Sequence, residues 1–229
     1  MQTATFKHVA DFGVLVIFSD ALSDAAHDTV LALDQALSWD MPKGAIETVP
    51  ALVNLMVVFD PLVTDHGAVQ SHVERHLTHL KPAHSTGKTC KVDVCYDGPF
   101  GPDLDAVAAA TDLSRDAVIN IHLGATYRVL MFGFAPGYGY MGGVPEAIQL
   151  PRKTAPLMGM PKGAVMIAGP QCLVTTLEMP SGWQIIGRSP TDILTQDETQ
   201  PTLFGVGDEV VFNRISLDDF DRLTKVGAA

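Results

Sequence analysis

The chain has 229 residues, enough for one large domain or two small ones with their own cores. Its 47% hydrophobic and 18% charged residues exclude a disordered tail or a fibre. A formal net charge of −11 argues against nucleic acid or an anionic membrane as a partner, while charge segregation still leaves room for a basic pocket.

The N-terminal third reads as an α+β unit with the order strand, strand, helix, strand, strand, helix. Phe12 to Phe18 is apolar and β-branched enough for a buried strand. Its apolar run Val14 to Phe18 is far too short to span a bilayer. Ser23 is placed to cap a helix, and Ala26, Val30, Leu33 and Leu37 then recur at helical spacing. Pro42-Lys43-Gly44 stops that helix. Ile46 to Val49 and Leu52 to Phe59 read as a strand pair around Pro50, and Gly67 to Leu80 as a second helix. Antiparallel pairing with both helices on one face satisfies this order.

Lys81 to Lys88 is polar and carries Pro and Gly, so the domain boundary is expected there, giving units 1–83 and 88–229. Lys91 to Tyr96 then reads as a strand, and Pro102 to Ala110 and Ser114 to His122 as short helices, Ser114 serving as an N-cap. Strands follow at Tyr127 to Phe134, Ala164 to Ala168, Leu173 to Leu177, Trp183 to Ile186 and Glu209 to Ile215. Gly/Pro turns between them suit a small β-barrel or sandwich, closed by a helix over Ser216 to Leu223.

Three cysteines, Cys90, Cys95 and Cys172, show no CxxC spacing, which fits buried thiols in a reducing compartment. A cytoplasmic location is expected. Gly137 to Gly142 satisfies G-x-G-x-x-G, but Gly143-Val144-Pro145 follows where a dinucleotide site needs an opening helix. Gly87-Lys88-Thr89 resembles the end of a Walker A loop, yet Pro82 stands where the first glycine belongs. His72, His76 and His79 share one helix face. The segment is not HExxH and Arg75 lies beside it, so a solvated polar face, with no metal ligands, is the reading. No G-x-S-x-G elbow supports serine hydrolase chemistry.

One dense cluster remains as a ligand-site candidate. Gly133, Phe134, Pro136 and Gly137 belong to a loop whose backbone amides can approach a ligand closely. Arg152 and Lys153 offer paired cations for a carboxylate or phosphoryl group. Gln171, Trp183 and Arg188 add an amide, an indole and a second guanidinium. His122, at a helix end, is the general acid/base candidate.

These residues carry a family resemblance. Gly133 to Gly143 resembles a GF-x-PGF-x-YLGG segment, Pro151-Arg152-Lys153 the start of PRR-x-x-PR, Met160 to Gln171 a VP-x-GSV-x-IAG-x-Q segment, and Pro180 to Pro190 the segment PGGWQLIGRTP. All four resembled segments are those of the family of allophanate hydrolase subunit 1 and the 5-oxoprolinase B-type subunit. That family also takes in a sporulation histidine-kinase inhibitor and half of the urea carboxylase carboxyltransferase region. The resemblance implies an α+β fold, with a small α+β N-terminal domain followed by a cyclophilin-like β-barrel. It implies a subunit 2-type partner, the 5-oxoprolinase C-type chain, and a third subunit that completes lactam opening. ATP with magnesium would act in the assembled complex, with no covalently bound cofactor. The implied function is one subunit of an ATP-dependent amidohydrolase converting 5-oxoproline to glutamate. The family's other roles, kinase-inhibitor-type regulation and a urea-carboxylase-like carboxyltransferase component, are the alternatives. Leu157 replaces the family's second arginine, Cys172 to Thr176 replaces a TGIYP segment, Ser181 replaces a glycine and Asn54 a serine.

Overall fold

The computed structural model describes residues 4–80 and 87–226, so residues 81–86 of the expected linker lie outside the described residues. Two compact units divide the chain, Met1–Thr86 and Gly87–Ala229.

In the first unit, β1 (Thr5–Val9), β2 (Gly13–Ile17), α1 (Asp24–Trp39), β3 (Ala45–Ala51), β4 (Asn54–Phe59) and α2 (His66–His79) follow the expected order. The sheet runs β1-β2-β4-β3, antiparallel throughout. Alternation along β2 and β4 buries Val14, Val16, Leu55, Val57 and Phe59 against Val30, Leu33 and Leu37 of α1 and Val69 and Val73 of α2. Each such apolar side chain contributes about 1.5–3 kcal/mol on burial. Ser23 caps α1 by accepting from the Ala26 N–H. Pro50 lies inside β3 rather than at the turn, and the hairpin turns at Leu52, whose φ is +48°. An edge strand tolerates the proline because the missing N–H has no ladder partner to lose.

The second unit is built on a seven-stranded sheet. Its strands are β5 (Thr89–Val94), β6 (Tyr127–Phe132), β7 (Gly139–Gly142), β9 (Ala164–Ala168), β10 (Gln171–Val174), β12 (Gln184–Arg188) and β13 (Glu209–Arg214). Their order is β12-β9-β10-β7-β6-β13-β5. The two edges meet: the Cys95 N–H donates to the Arg188 carbonyl at 2.8 Å, and the Arg188 N–H donates back at 2.9 Å. Those bonds turn the sheet into a nearly closed barrel, which removes the exposed edges. β13 and β5 pair parallel. A separate two-stranded ladder joins β8 (Leu157–Met160) to β11 (Met179–Ser181). Helices α3 (Leu104–Ala110), α4 (Arg115–Leu123) and α5 (Leu217–Val226) complete the unit, and Ser114 caps α4 as its sequence predicts.

Two-residue periodicity divides β9 between two cores. Val165 and Ile167 face the barrel interior with Val92, Val94, Val129, Met141 and Cys172. Ala164, Met166 and Ala168 face a second cluster with Tyr138, Leu173, Met179, Trp183 and Ile185. All three cysteines are buried free thiols. Among the described residues, no helix is long and apolar enough to cross a membrane.

No sequence pattern predicts strands β7, β8 and β11. β7 is half glycine, and a Cβ at Gly139 would lie 2.8 Å from the Phe204 ring, so packing rather than propensity chooses its residues. The G-x-G-x-x-G glycines therefore serve a strand and its turn, in keeping with the lack of an opening helix. The Walker-like segment is likewise held by the barrel: the Gly87 N–H donates to the Gly207 carbonyl and the Lys88 N–H to the Asp208 carboxylate.

Candidate functional site

A cavity of about 590 Å³ opens over the second cluster, walled by Phe134, Tyr138, Tyr140, Pro151, Arg152, Ala168, Gly169, Gln171, Pro180, Ser181 and Trp183. Its aromatic wall is a chain of ring contacts. Phe134 meets Tyr138 at 5.6 Å, Tyr138 meets Tyr140 at 5.5 Å, and Tyr140 meets Trp183 at 5.9 Å between ring centroids. Tyr138, just before β7, and Tyr140 within it are two residues apart and both pack on the second cluster, away from Met141 in the barrel core.

The loop joining β6 to β7 supplies the near wall. The Gly133 N–H donates to the Tyr138 carbonyl and the Tyr138 N–H to the Ala135 carbonyl, folding the loop on itself. Phe134 takes φ +73° and stays 73% exposed, an unfavourable conformation for an aromatic residue that presents its ring to the cavity. Gly137 has φ +68°, and a Cβ there would fall 2.6 Å from the Leu194 side chain. Among the described residues, the amides of Phe134, Ala135 and Gly137 have no protein acceptor. Of these three residues, Phe134 lines the cavity.

Arg152 stands on the opposite side. Among the described residues no carboxylate pairs with it. Its charge acts on both tyrosine hydroxyls. Burial pushes Tyr138 up to about 12, aided by Tyr140 and opposed by the Arg152 guanidinium; burial also raises Tyr140, and Arg152 again opposes. Both hydroxyls are thus neutral donors. Gln171 enters from β10, where its backbone pairs with Gly142 and Ala168. An unpaired cation, neutral O–H donors and a carboxamide on an aromatic floor suit a small, anionic amide.

Of the residues predicted from sequence, Phe134, Arg152, Gln171 and Trp183 meet here. Gly133, Pro136 and Gly137 shape the loop, and the Pro136 carbonyl is held by the Thr176 hydroxyl at 2.7 Å. Three others lie elsewhere. Lys153 donates to Asp103 at 2.5 Å and its N–H to the Gly182 carbonyl, so it buttresses the cavity from behind. Arg188 donates from Nε to the Lys162 carbonyl and lies over the rings of Phe100 and Phe220, lining separate cavities of about 230 and 190 Å³. His122 is wholly buried in the barrel interior.

The His122 environment explains why it is not a surface acid or base. Tyr96 Oη lies 2.7 Å from Nδ1, and burial pushes that phenol well above its ordinary range, so the hydroxyl keeps its proton. Nε2 lies 3.7 Å from Cys172 Sγ. The Tyr127 hydroxyl donates to the His122 carbonyl. Burial lowers the imidazole to about 3. Sequence reading does not single out Tyr138, Tyr140 or Ser181 as site residues; the Tyr-x-Tyr alternation is the available signal for the first two.

The departures from the family pattern also find places. Cys172 to Thr176 are all buried, and Thr175 bonds the Ala164 amide and the Pro161 carbonyl, so this segment is barrel core. Leu157 pairs with Ser181 of the cavity wall and is exposed.

Comparison with known proteins agrees with this architecture. The family model for the carboxyltransferase domain, subdomain C and D, matches residues 4–204. The B subunit of 5-oxoprolinase from Bacillus subtilis is 33% identical over 225 residues, covering 93% of this chain and 94% of that protein. The crystal structure of TTHA0988 is 32% identical with a TM-score of 0.78; the match covers 89% of this chain, which spans 40% of TTHA0988. The Kluyveromyces lactis urea carboxylase shares the fold at 16% identity and a TM-score of 0.79, over 97% of this chain and 22% of that one.

Proposed function

From the premise that this chain belongs to the carboxyltransferase domain, subdomain C and D family, we propose that it is the B-type subunit of a 5-oxoprolinase-type complex. The reading divides the molecule into an α+β unit and a cyclophilin-like barrel whose cavity contributes the substrate site. The single observation that carries it is the Arg152 guanidinium, without a carboxylate partner among the described residues, on the wall of an aromatic cavity.

In this proposal Arg152 takes the ring carboxylate of 5-oxoproline, the Tyr138 and Tyr140 rings hold the apolar ring face, and Gln171 orients the lactam. The Phe134 amide, on the cavity wall, stabilises negative charge developing on the lactam oxygen. ATP with magnesium supplies the driving force for opening a stable lactam. The cavity wall offers one cation and no carboxylate, which does not fit magnesium triphosphate by itself. The nucleotide's remaining ligands would come from a C-type partner chain, and a third subunit would complete ring opening.

The test is coexpression with the companion chains and assay of 5-oxoproline-dependent ATP hydrolysis. Turnover that requires all chains supports the proposal. Absence of turnover on 5-oxoproline, with binding to a histidine-kinase dimerisation domain instead, would favour the regulatory alternative. Turnover on urea would favour the carboxyltransferase alternative.

A further inference from the structure

The helix face bearing His72 and His76 gains a third donor that no sequence pattern announces. Asp40 is the C-cap of α1, thirty-two residues before His72, and its carboxylate lies across from both rings. His72 Nε2 is 3.4 Å from Asp40 Oδ2, and His76 Nε2 is 3.0 Å from the same atom. All three donor atoms lie within 4.8 Å of one another. Donors bound tetrahedrally at about 2.0–2.1 Å are separated by roughly 3.3 Å, so both histidine nitrogens already stand at shell spacing from the Asp40 oxygen. His79, the third histidine of the stripe, is exposed and does not take part.

We propose that Asp40, His72 and His76 form a binding site for a divalent first-row transition metal of the zinc type, with water at the open corner. Two imidazoles and one carboxylate favour such an ion over magnesium or calcium, which prefer all-oxygen shells. The i, i+4 spacing fixes the two rings on consecutive turns of α2. Asp40 is held independently: its N–H caps α1 by donating to the Ala36 carbonyl, and its own carbonyl accepts from His72 Nε2 at 2.8 Å. Binding would exchange that His72 bond for a metal bond and tie the end of α1 to α2. The tie matters because α2 buries only Val69 and Val73.

Arg75 sharpens the inference. Its Nη2 lies 2.9 Å from His72 Nδ1 and donates to it, which requires a bare Nδ1. A neutral His72 ligating through Nε2 carries its proton on Nδ1 and can no longer accept from Arg75. Arg75 therefore competes with the metal, both through this bond and through its charge. It has an alternative acceptor in the Ser71 carbonyl, at 3.3 Å.

The experiment is calorimetric titration of untagged full-length protein with zinc, repeated with cobalt to read tetrahedral absorption bands. One equivalent per chain is expected. Asp40→Asn and His76→Gln should each weaken binding by about tenfold or more, and Arg75→Ala should tighten it by up to about tenfold. His79→Ala should change nothing. Asp40 is largely exposed, so its variant reports on binding without endangering the fold. Absence of zinc binding, or binding indifferent to both Asp40→Asn and His76→Gln, would overturn the site.

Discussion

Lys153 Nζ donates to Asp103 Oδ2 at 2.5 Å, and the same oxygen accepts the Ile185 N–H at 2.7 Å. This carboxylate ties the segment after Pro151 to β12 behind the cavity. Both side chains are less than one-fifth exposed, so removing one leaves the other poorly solvated. Lys153→Ala is expected to cost about 2–4 kcal/mol in urea unfolding. In the assembled complex it should change KM far less than loss of Arg152 does. An equal KM effect from both would return Lys153 to the binding surface.

His122 should make stability fall in acid. Burial holds its ring at about 3, against 6.5 when exposed. Between those values the unfolded chain takes up a proton that the folded chain refuses. Stability therefore drops as pH falls below about 6.5, by about 2 kcal/mol between pH 7 and pH 5. Urea midpoints at the two pH values measure it, and in His122→Phe this component of the slope should vanish. The pH profile of turnover should be unmoved by the same change.

Phe134 separates backbone strain from binding. Its φ of +73° costs about 1 kcal/mol in a residue other than glycine. Phe134→Gly should leave stability within about 1 kcal/mol of the parent while raising KM. A marked loss of stability with KM unchanged would make the ring structural.

Gly163 tests the junction where the β9–β12 ladder ends. It has φ +83°, and a Cβ would fall 2.2 Å from the Ser189 carbonyl, next to the bond from the Ser189 N–H to the Gly163 carbonyl. Gly163→Ala is expected to destabilise the protein by roughly 2–4 kcal/mol in denaturant titration.

Much of this fold can be read from local chemistry. Ser23 and Ser114 mark helix starts through their own side chains, and β9 is legible as an apolar run of strand length. β7 is not, because its glycines answer to Leu130 and Phe204, residues remote in sequence. The candidate site is legible as a cluster of residue types but not as a geometry. Adjacent Arg152 and Lys153 look equivalent until Asp103, fifty residues before Lys153, engages one of them. His122 resembles a helix-end base because no pattern announces that Tyr96, Tyr127 and Phe212 enclose it. Leu157, where the family pattern has an arginine, pairs with the cavity residue Ser181 across fewer than thirty residues, a register that no local pattern announces.

The most direct test of the account is the KM for 5-oxoproline of the assembled complex carrying Arg152→Gln. A charge-assisted contact to the substrate carboxylate is worth about 1.5–3 kcal/mol, so KM should rise roughly tenfold to a hundredfold, with Arg152→Lys recovering part of it. An unchanged KM in a complex that still assembles and turns over would contradict the assignment of this cavity as the substrate site.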